Sequence, residues 1–215
     1  MNDLIKLNSL LPETREVLLK LIKNCDFLNK YVFVGGSALA LHLNHRKSED
    51  LVFFTYENYF NKAELIDISK YFKNFSILNE TDKQIDLFAD GVKITFFNSS
   101  WSFLKPKNIL QFNLATIEQL TAMKVNTLFV RATYRDYYDL YFITKYANIG
   151  LKKIFELSKN ILSGITMKLF FAALLYVDDI IDDTIEHLCP KIIISKKEIR
   201  DYFQNEINKL KNDIL

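Results

Sequence analysis

Three groups of residues in this chain could do chemistry, and the first has the types and spacing of a phosphate site. The first is Gly35-Gly36-Ser37, with His45, Arg46, Lys47 and then Asp50 shortly after it. A glycine pair between an apolar strand and a helix start leaves backbone N–H groups exposed at the positive end of a helix dipole, which makes a phosphate seat. The basic triplet adds charge that steers a phosphate, and Asp50 adds a carboxylate able to ligate a cation. The chain has only five glycines, so an adjacent pair is not noise of composition. By itself, though, such a pair also reads as an ordinary turn. The second group centres on Asp86, in the run Gln84 to Phe97. The third is Lys124, a cation within an apolar stripe, with Asp136 and Asp139 on the helix that follows.

The elements that must position these residues follow from the pattern. Tyr31 to Val34 reads as a strand, Gly35 to Ser37 as a turn, and Ala38 onward as a short apolar helix; a second strand ends at Thr55 with Asp50 at its mouth. Before them, residues 10 to 28 carry Val17, Leu18, Leu21 and Ile22 at helical spacing, with Pro12 near the start where proline is tolerated. Asn61 to Phe72 again alternates as an amphipathic helix. Asp90-Gly91 between two β-rich runs signals a hairpin. A two-residue loop there pairs Ala89 with Val92 and sets Asp86 opposite Thr95, on the same face. A slip of one residue would send Asp86 to the other face, as a solvated carboxylate.

Trp101 to Asn113 reads as an irregular linker broken by Lys105-Pro106-Lys107, which places a boundary between an α/β core over 1–113 and a helical domain over 114–215. Thr116 to Gln119 has the form of a capping box, so a helix begins near Ile117. Lys124 falls in the middle of its apolar stripe of Ile117, Leu120 and Leu128. A buried unpaired charge is costly, so its amine either snorkels to the surface or meets an anion. The next helix, Tyr134 to Tyr146, places Asp136 and Asp139 three apart on one face. Arg131, Arg135 and Asp139 also fit a plain ion-pair ladder, and the many rings of this helix fit packing better than base stacking. Helices follow over Ile154 to Leu162, Thr166 to Tyr176 and Lys196 to Leu210. The acidic run of Asp178, Asp179, Asp182 and Asp183 reads as a solvated helix end rather than a metal cluster.

Composition sets outer limits. A 49% hydrophobic content and a formal net charge of +2 argue against disorder and against a strongly basic nucleic-acid surface. Two scattered cysteines, Cys25 and Cys189, supply neither a disulfide framework nor a Cys-based zinc site. With no signal-peptide pattern and no bilayer-spanning segment, the expected location is cytoplasmic, without a membrane partner.

The motifs in this order resemble the nucleotidyltransferase superfamily with the DNA-polymerase-β-like fold, in particular the AbiEii-type toxin family. The residues that carry the likeness are Gly35-Gly36-Ser37-Ala38-Leu39-Ala40-Leu41, the stretch Ser48-Glu49-Asp50-Leu51-Val52, Ala122-Met123-Lys124, and Arg135-Asp136 through Asp139-Leu140-Tyr141. The resemblance implies an α+β fold: a nucleotidyltransferase-like mixed sheet with flanking helices, followed by a helical C-terminal half. It implies an NTP held by Gly35, Gly36, Ser37 and Arg46. It also implies Mg²⁺ on Asp50 with Asp86 beside it, and Lys124 neutralising phosphate, oriented by Asp136 or Asp139. NMP transfer to an RNA (tRNA) or protein acceptor, and a cognate antitoxin protein as partner, belong to the same picture. The chain departs from the family pattern at two points, because Val52 and Thr95 stand where the second and third metal carboxylates are expected. An active Mg²⁺-dependent transferase and a catalytically inactive nucleotide-binding or regulatory module therefore both fit.

Overall fold

A computed structural model describes residues 7–181 and 185–212. The chain divides into two compact units, Met1–Thr116 and Ile117–Leu215.

The first unit is built on a six-stranded mixed sheet of order β3-β4-β5-β2-β1-β6. Its elements are α1 (Pro12–Asn24), β1 (Tyr31–Val34), α2 (Gly35–Leu43), β2 (Leu51–Thr55), α3 (Lys62–Ile66), β3 (Phe75–Glu80), β4 (Gln84–Ala89), β5 (Val92–Phe97) and β6 (Asn113–Leu114). β2 runs antiparallel to β1 and parallel to β5, while the β4–β5 hairpin is antiparallel. Alternation decides what each face carries. Phe33, Phe53, Ile85, Leu87, Ile94 and Phe96 point into the core and are at most 1% exposed. There the rings of Phe53 and Phe96 stack with centroids 5.1 Å apart. The intervening residues Val52, Phe54, Lys93, Thr95 and Phe97 are half-buried on the opposite face.

The hairpin turn has the expected two residues. Asp90 and Gly91 both take positive φ, +46° and +89°, which matches the twist of the flanking strands. The Asp90 carboxylate then accepts the backbone N–H groups of Lys73 and Asn74 and the ammonium of Lys20, at 2.8–3.0 Å. With the Lys20 hydrogen bond as the largest cause, these contacts hold its carboxyl below the usual range. One turn residue thus ties α1 and the entry to β3 onto the hairpin.

Two strands escape the sequence pattern. β3 is an edge strand whose residues are almost all exposed, with a bulge between Ile77 and Asn79, so it lacks the alternation of a half-buried strand. β6 begins at the last residue of the expected linker. The side chain of Asn113 pins it by donating to the carbonyls of Asn29 and Tyr31 at 3.0 and 3.2 Å. The helix after β1 also starts earlier than expected, at Gly35 instead of Ala38. The Asn61 to Phe72 segment splits into α3 and a 3-10 stretch over Asp67–Tyr71.

The second unit is helical: α4 (Ile117–Val130), α5 (Tyr134–Tyr146), α6 (Leu151–Ser158), α7 (Met167–Leu175) and α8 (Lys196–Asn212). In α5, ten of 13 residues are buried, which makes it the central helix of the unit. Its tyrosines pack and bond locally. Tyr137 donates to Ala173 O at 2.9 Å, Tyr138 to Ile192 O at 3.1 Å, and Tyr134 to Ile194 O. Asp178 pairs with Arg200 at 3.0 Å, and Asp182 and Asp183 lie outside the described residues. Cys25 and Cys189 are free thiols, and burial pushes that of Cys25 up to about 11. Among the described residues no helix is long and apolar enough to cross a membrane.

A buried charge cluster joins α4 to α5. Lys124 Nζ lies 2.9 Å from Asp136 and 2.6 Å from Asp139, and both carboxylates are fully shielded from solvent. Arg131 reaches Asp136 at 3.2 Å from its more exposed position. Thr133, the N-cap of α5, donates its hydroxyl to Asp136 Oδ2 at 2.8 Å in a capping box. Lys124 therefore meets anions and does not snorkel, and Asp139 pairs with it. Burial alone would raise the Asp136 carboxyl, but the charges of Lys124 and Arg131 and the hydrogen bonds outweigh it and hold the group well below the carboxylate range.

Removing one partner of such a pair strands the other, so Lys124→Met or Asp136→Ala is expected to cost about 3–5 kcal/mol in denaturant unfolding at neutral pH. The Asp136 pKa is depressed on folding. Its contribution is therefore complete above an unfolded value of about 4 and is lost as pH falls below that. Stability of the wild type should drop between about pH 4 and pH 2 more steeply than that of Asp136→Asn. Parallel slopes would show that Asp136 is not the linked group.

Candidate functional site

The apolar strand β1 runs straight into α2, and Gly35 makes the junction with a left-handed φ of +77° that side chains disfavour. Val34 is the N-cap, and no side chain caps the helix. The first-turn amides of Gly35, Gly36 and Ser37 therefore keep the unsatisfied donor character of a helix start. The packing around them is close. A Cβ on Gly36 would stand 2.6 Å from Arg46 Nη2 and 3.4 Å from Ser48 Oγ, and one on Gly35 would stand 3.5 Å from Val52.

Two of the expected roles change here. His45 and Arg46 are buried, at 0% and 5% exposure, rather than displayed on a basic loop. The Arg46 guanidinium lies over Gly36, and its Nη1 donates to Lys47 O at 2.9 Å. The hydroxyl of Ser37, expected on a phosphate, donates instead to the backbone carbonyl of Asp50 and so ties the helix start to the mouth of β2. Asp50 itself is exposed.

Register brings a row of residues together on the open face of the sheet. Val52 pairs with Thr95 across β2–β5, and Thr95 pairs with Asp86 across β5–β4. Paired residues share a face, so Asp86 stands beside Thr95, as the hairpin count requires. Asp86 is only 6% exposed, and its oxygens are well supplied. Gln84 Nε2 donates to both of them at 3.0 Å, the Thr95 hydroxyl to one at 2.6 Å, and Lys93 Nζ lies 3.5 Å from the other. Lys93 and Gln84 were not singled out from the sequence. The hairpin count already put Lys93 on the face of Asp86, two residues from Thr95 and diagonal to the acid.

Asp50 and Asp86 are not brought to one point. Extending the β2–β5 ladder back by one residue sets Asp50 level with Lys93, two strands across from Asp86 and two residues along. With strands ~4.8 Å apart and ~3.4 Å per residue, the two Cα atoms are about 12 Å apart. One Mg²⁺ with ligand distances of ~2.1 Å cannot take both carboxylates. Val52 and Thr95 offer no carboxylate between them. Among the described residues no group of three or more His, Cys, Asp or Glu side chains is placed to hold a metal ion. The donor set does not fit the carboxylate-held metal that the motif resemblance implies.

The remaining expected site residues, Lys124, Asp136 and Asp139, do come together, within the second unit. The side chain of Lys124 is only 7% exposed and its charge is shared between two aspartates. That unit also contains a cavity of about 400 Å³ lined by Tyr134, Tyr138, Ile192 and Lys196 among others, which holds none of the expected site residues.

Comparison with known proteins agrees with this architecture. No family model matches the chain. A protein of Aquifex aeolicus (strain VF5) named "Uncharacterized protein aq_aa25" is 25% identical over 218 residues, covering 94% of this chain and 98% of that protein. Two crystal structures from Helicobacter pylori are similar at 19% identity. JHP933 has a TM-score of 0.55 over 93% of both chains. The other, described as a "putative nucleotidyltransferase", has a TM-score of 0.58 over 99% of this chain and 98% of its own. The chain thus has a nucleotidyltransferase-like α+β fold, with a mixed sheet, flanking helices and a helical C-terminal half.

Proposed function

We propose that this protein binds a nucleoside triphosphate, with the triphosphate on the N-terminus of α2. The observation that carries the reading is the uncapped start of α2 at Gly35-Gly36, formed by a glycine in left-handed conformation and backed by the Arg46 guanidinium. Amides there supply directional donors, and the helix dipole and the buried arginine supply field. The open sheet face beside it carries one wired carboxylate, Asp86, and two uncharged residues, Val52 and Thr95. This favours a nucleotide-binding or regulatory module over a transferase that relies on a carboxylate cluster.

A second reading stands on Asp50, which is exposed at the mouth of β2 and joined through its carbonyl to Ser37. In it the protein transfers NMP from the bound NTP to an RNA such as tRNA, or to a protein, as a toxin of the AbiEii type held in check by an antitoxin. Asp50 is then the indispensable carboxylate of that scheme.

Calorimetric titration with each of the four NTPs, with and without Mg²⁺, tests the seat. At least one should bind at millimolar concentration or below. Gly36→Glu should weaken it by tenfold or more, about the worth of a charge-assisted contact, because the new carboxylate competes for the same amides. Absence of binding, or binding indifferent to Gly36→Glu, would sink the reading. Incubation with α-labelled NTP and total RNA separates the two functions. The binding module leaves RNA and protein unlabelled, whereas a transferase labels an acceptor and loses that ability in Asp50→Asn.

A further inference from the structure

The open face of the sheet holds a cation where the carboxylate row is incomplete. Lys93 sits on β5, one residue before Ile94, which pairs with Leu51 on the neighbouring strand, and diagonal to Asp86, whose Oδ2 is 3.5 Å from its ammonium. The contact is a loose one, and 43% of the Lys93 side chain remains exposed. Asp86, by contrast, already receives three short hydrogen bonds from Gln84 and Thr95, so it does not depend on the lysine for its solvation. Val52, one strand over and two residues along from Lys93, lies against Gly35 at the head of α2. Across one strand spacing and two residues, the Lys93 Cα is roughly 8 Å from that of Val52, within the span of an extended lysine and a bound phosphate.

We propose that Lys93 supplies the positive charge that the missing carboxylates would have recruited as a divalent ion, so that nucleotide phosphates bind at the α2 seat without metal. This rests on the nucleotide-seat reading and deepens it. The physical argument is one of substitution. A face with two or three free carboxylates repels phosphate until a metal bridges them. Here two of those positions are uncharged, Asp86 is held by neutral donors, and Lys93 adds a positive charge to that of Arg46 beside the seat. An ammonium on a flexible stem can leave one anion for another at little cost, and its three donors suit a phosphate as a point charge. Divalent metal would then add no bridge between protein and nucleotide.

The test is calorimetric titration of the wild type with ATP, CTP, GTP and UTP, first in EDTA and then in millimolar Mg²⁺. The tightest-binding nucleotide should have the same Kd within threefold in both. In EDTA, Lys93→Met should weaken it by about tenfold, the worth of one charge-assisted hydrogen bond, and Lys93→Arg should keep it within threefold of the wild type. Melting curves of both variants should match the wild type, since Lys93 lies on the half-exposed face. Binding that requires Mg²⁺ would overturn the inference while leaving the seat intact, provided Gly36→Glu abolishes that binding. Unchanged affinity in Lys93→Met would overturn it equally. If no nucleotide binds in either condition, the seat reading itself has failed and this inference falls with it.

Discussion

A strand can show only every second side chain to a given face, and that constraint governs the candidate site of this protein. The Asp90-Gly91 turn fixes the hairpin register, and the register fixes which residues of β4 and β5 share a face. The parallel pairing of β2 with β5 carries the same alternation one strand further. Phe53, Phe96 and Leu87 fill the core because Val52, Thr95 and Asp86 cannot also be there. The character of the open face is therefore set by very few positions, and changing two of them changes what kind of ion chemistry the face can support. The hydrogen bonds that Gln84 and Thr95 give Asp86 show how the sheet handles this acid, by solvating it with neutral neighbours.

The second unit handles buried charge in another way. Lys124 is matched by two aspartates, one of which also caps α5. A lysine, two acids and a threonine hydroxyl thus do a structural task, joining two helices where a purely apolar contact would leave the start of α5 uncapped. Such a cluster specifies the geometry of its corner more strictly than it adds net stability, because desolvation consumes much of the Coulomb gain.

Much of this was legible in the residues, for identifiable reasons. The hairpin register follows from one Asp-Gly pair, and Lys124 meeting an anion is one of only two outcomes that a lysine in an apolar stripe permits. The expected bounds of α5, Tyr134 to Tyr146, match the structure. β3 was missed because an exposed, bulged edge strand carries no alternation to read. β6 was missed because two residues held by an asparagine side chain leave no periodic signal. The early start of α2 was hidden because glycine is a poor helix former, and only the left-handed φ at Gly35 shows why it is needed there. The burial of Arg46 was likewise unreadable, since its place is made by the missing side chain of Gly36, ten positions away.

That last relation has a consequence for how this sequence can change over time. Position 36 is empty of side chain in order that position 46 can be long. A methyl group at 36 would stand 2.6 Å from Nη2, so the tip of the Arg46 side chain would have to shift. Shortening 46 alone would leave a void beside an uncapped helix, with nothing to balance it. The two positions therefore behave as one heritable character. Among descendants of this chain, a side chain gained at 36 should travel with a smaller residue at 46, and glycine at 36 should travel with arginine.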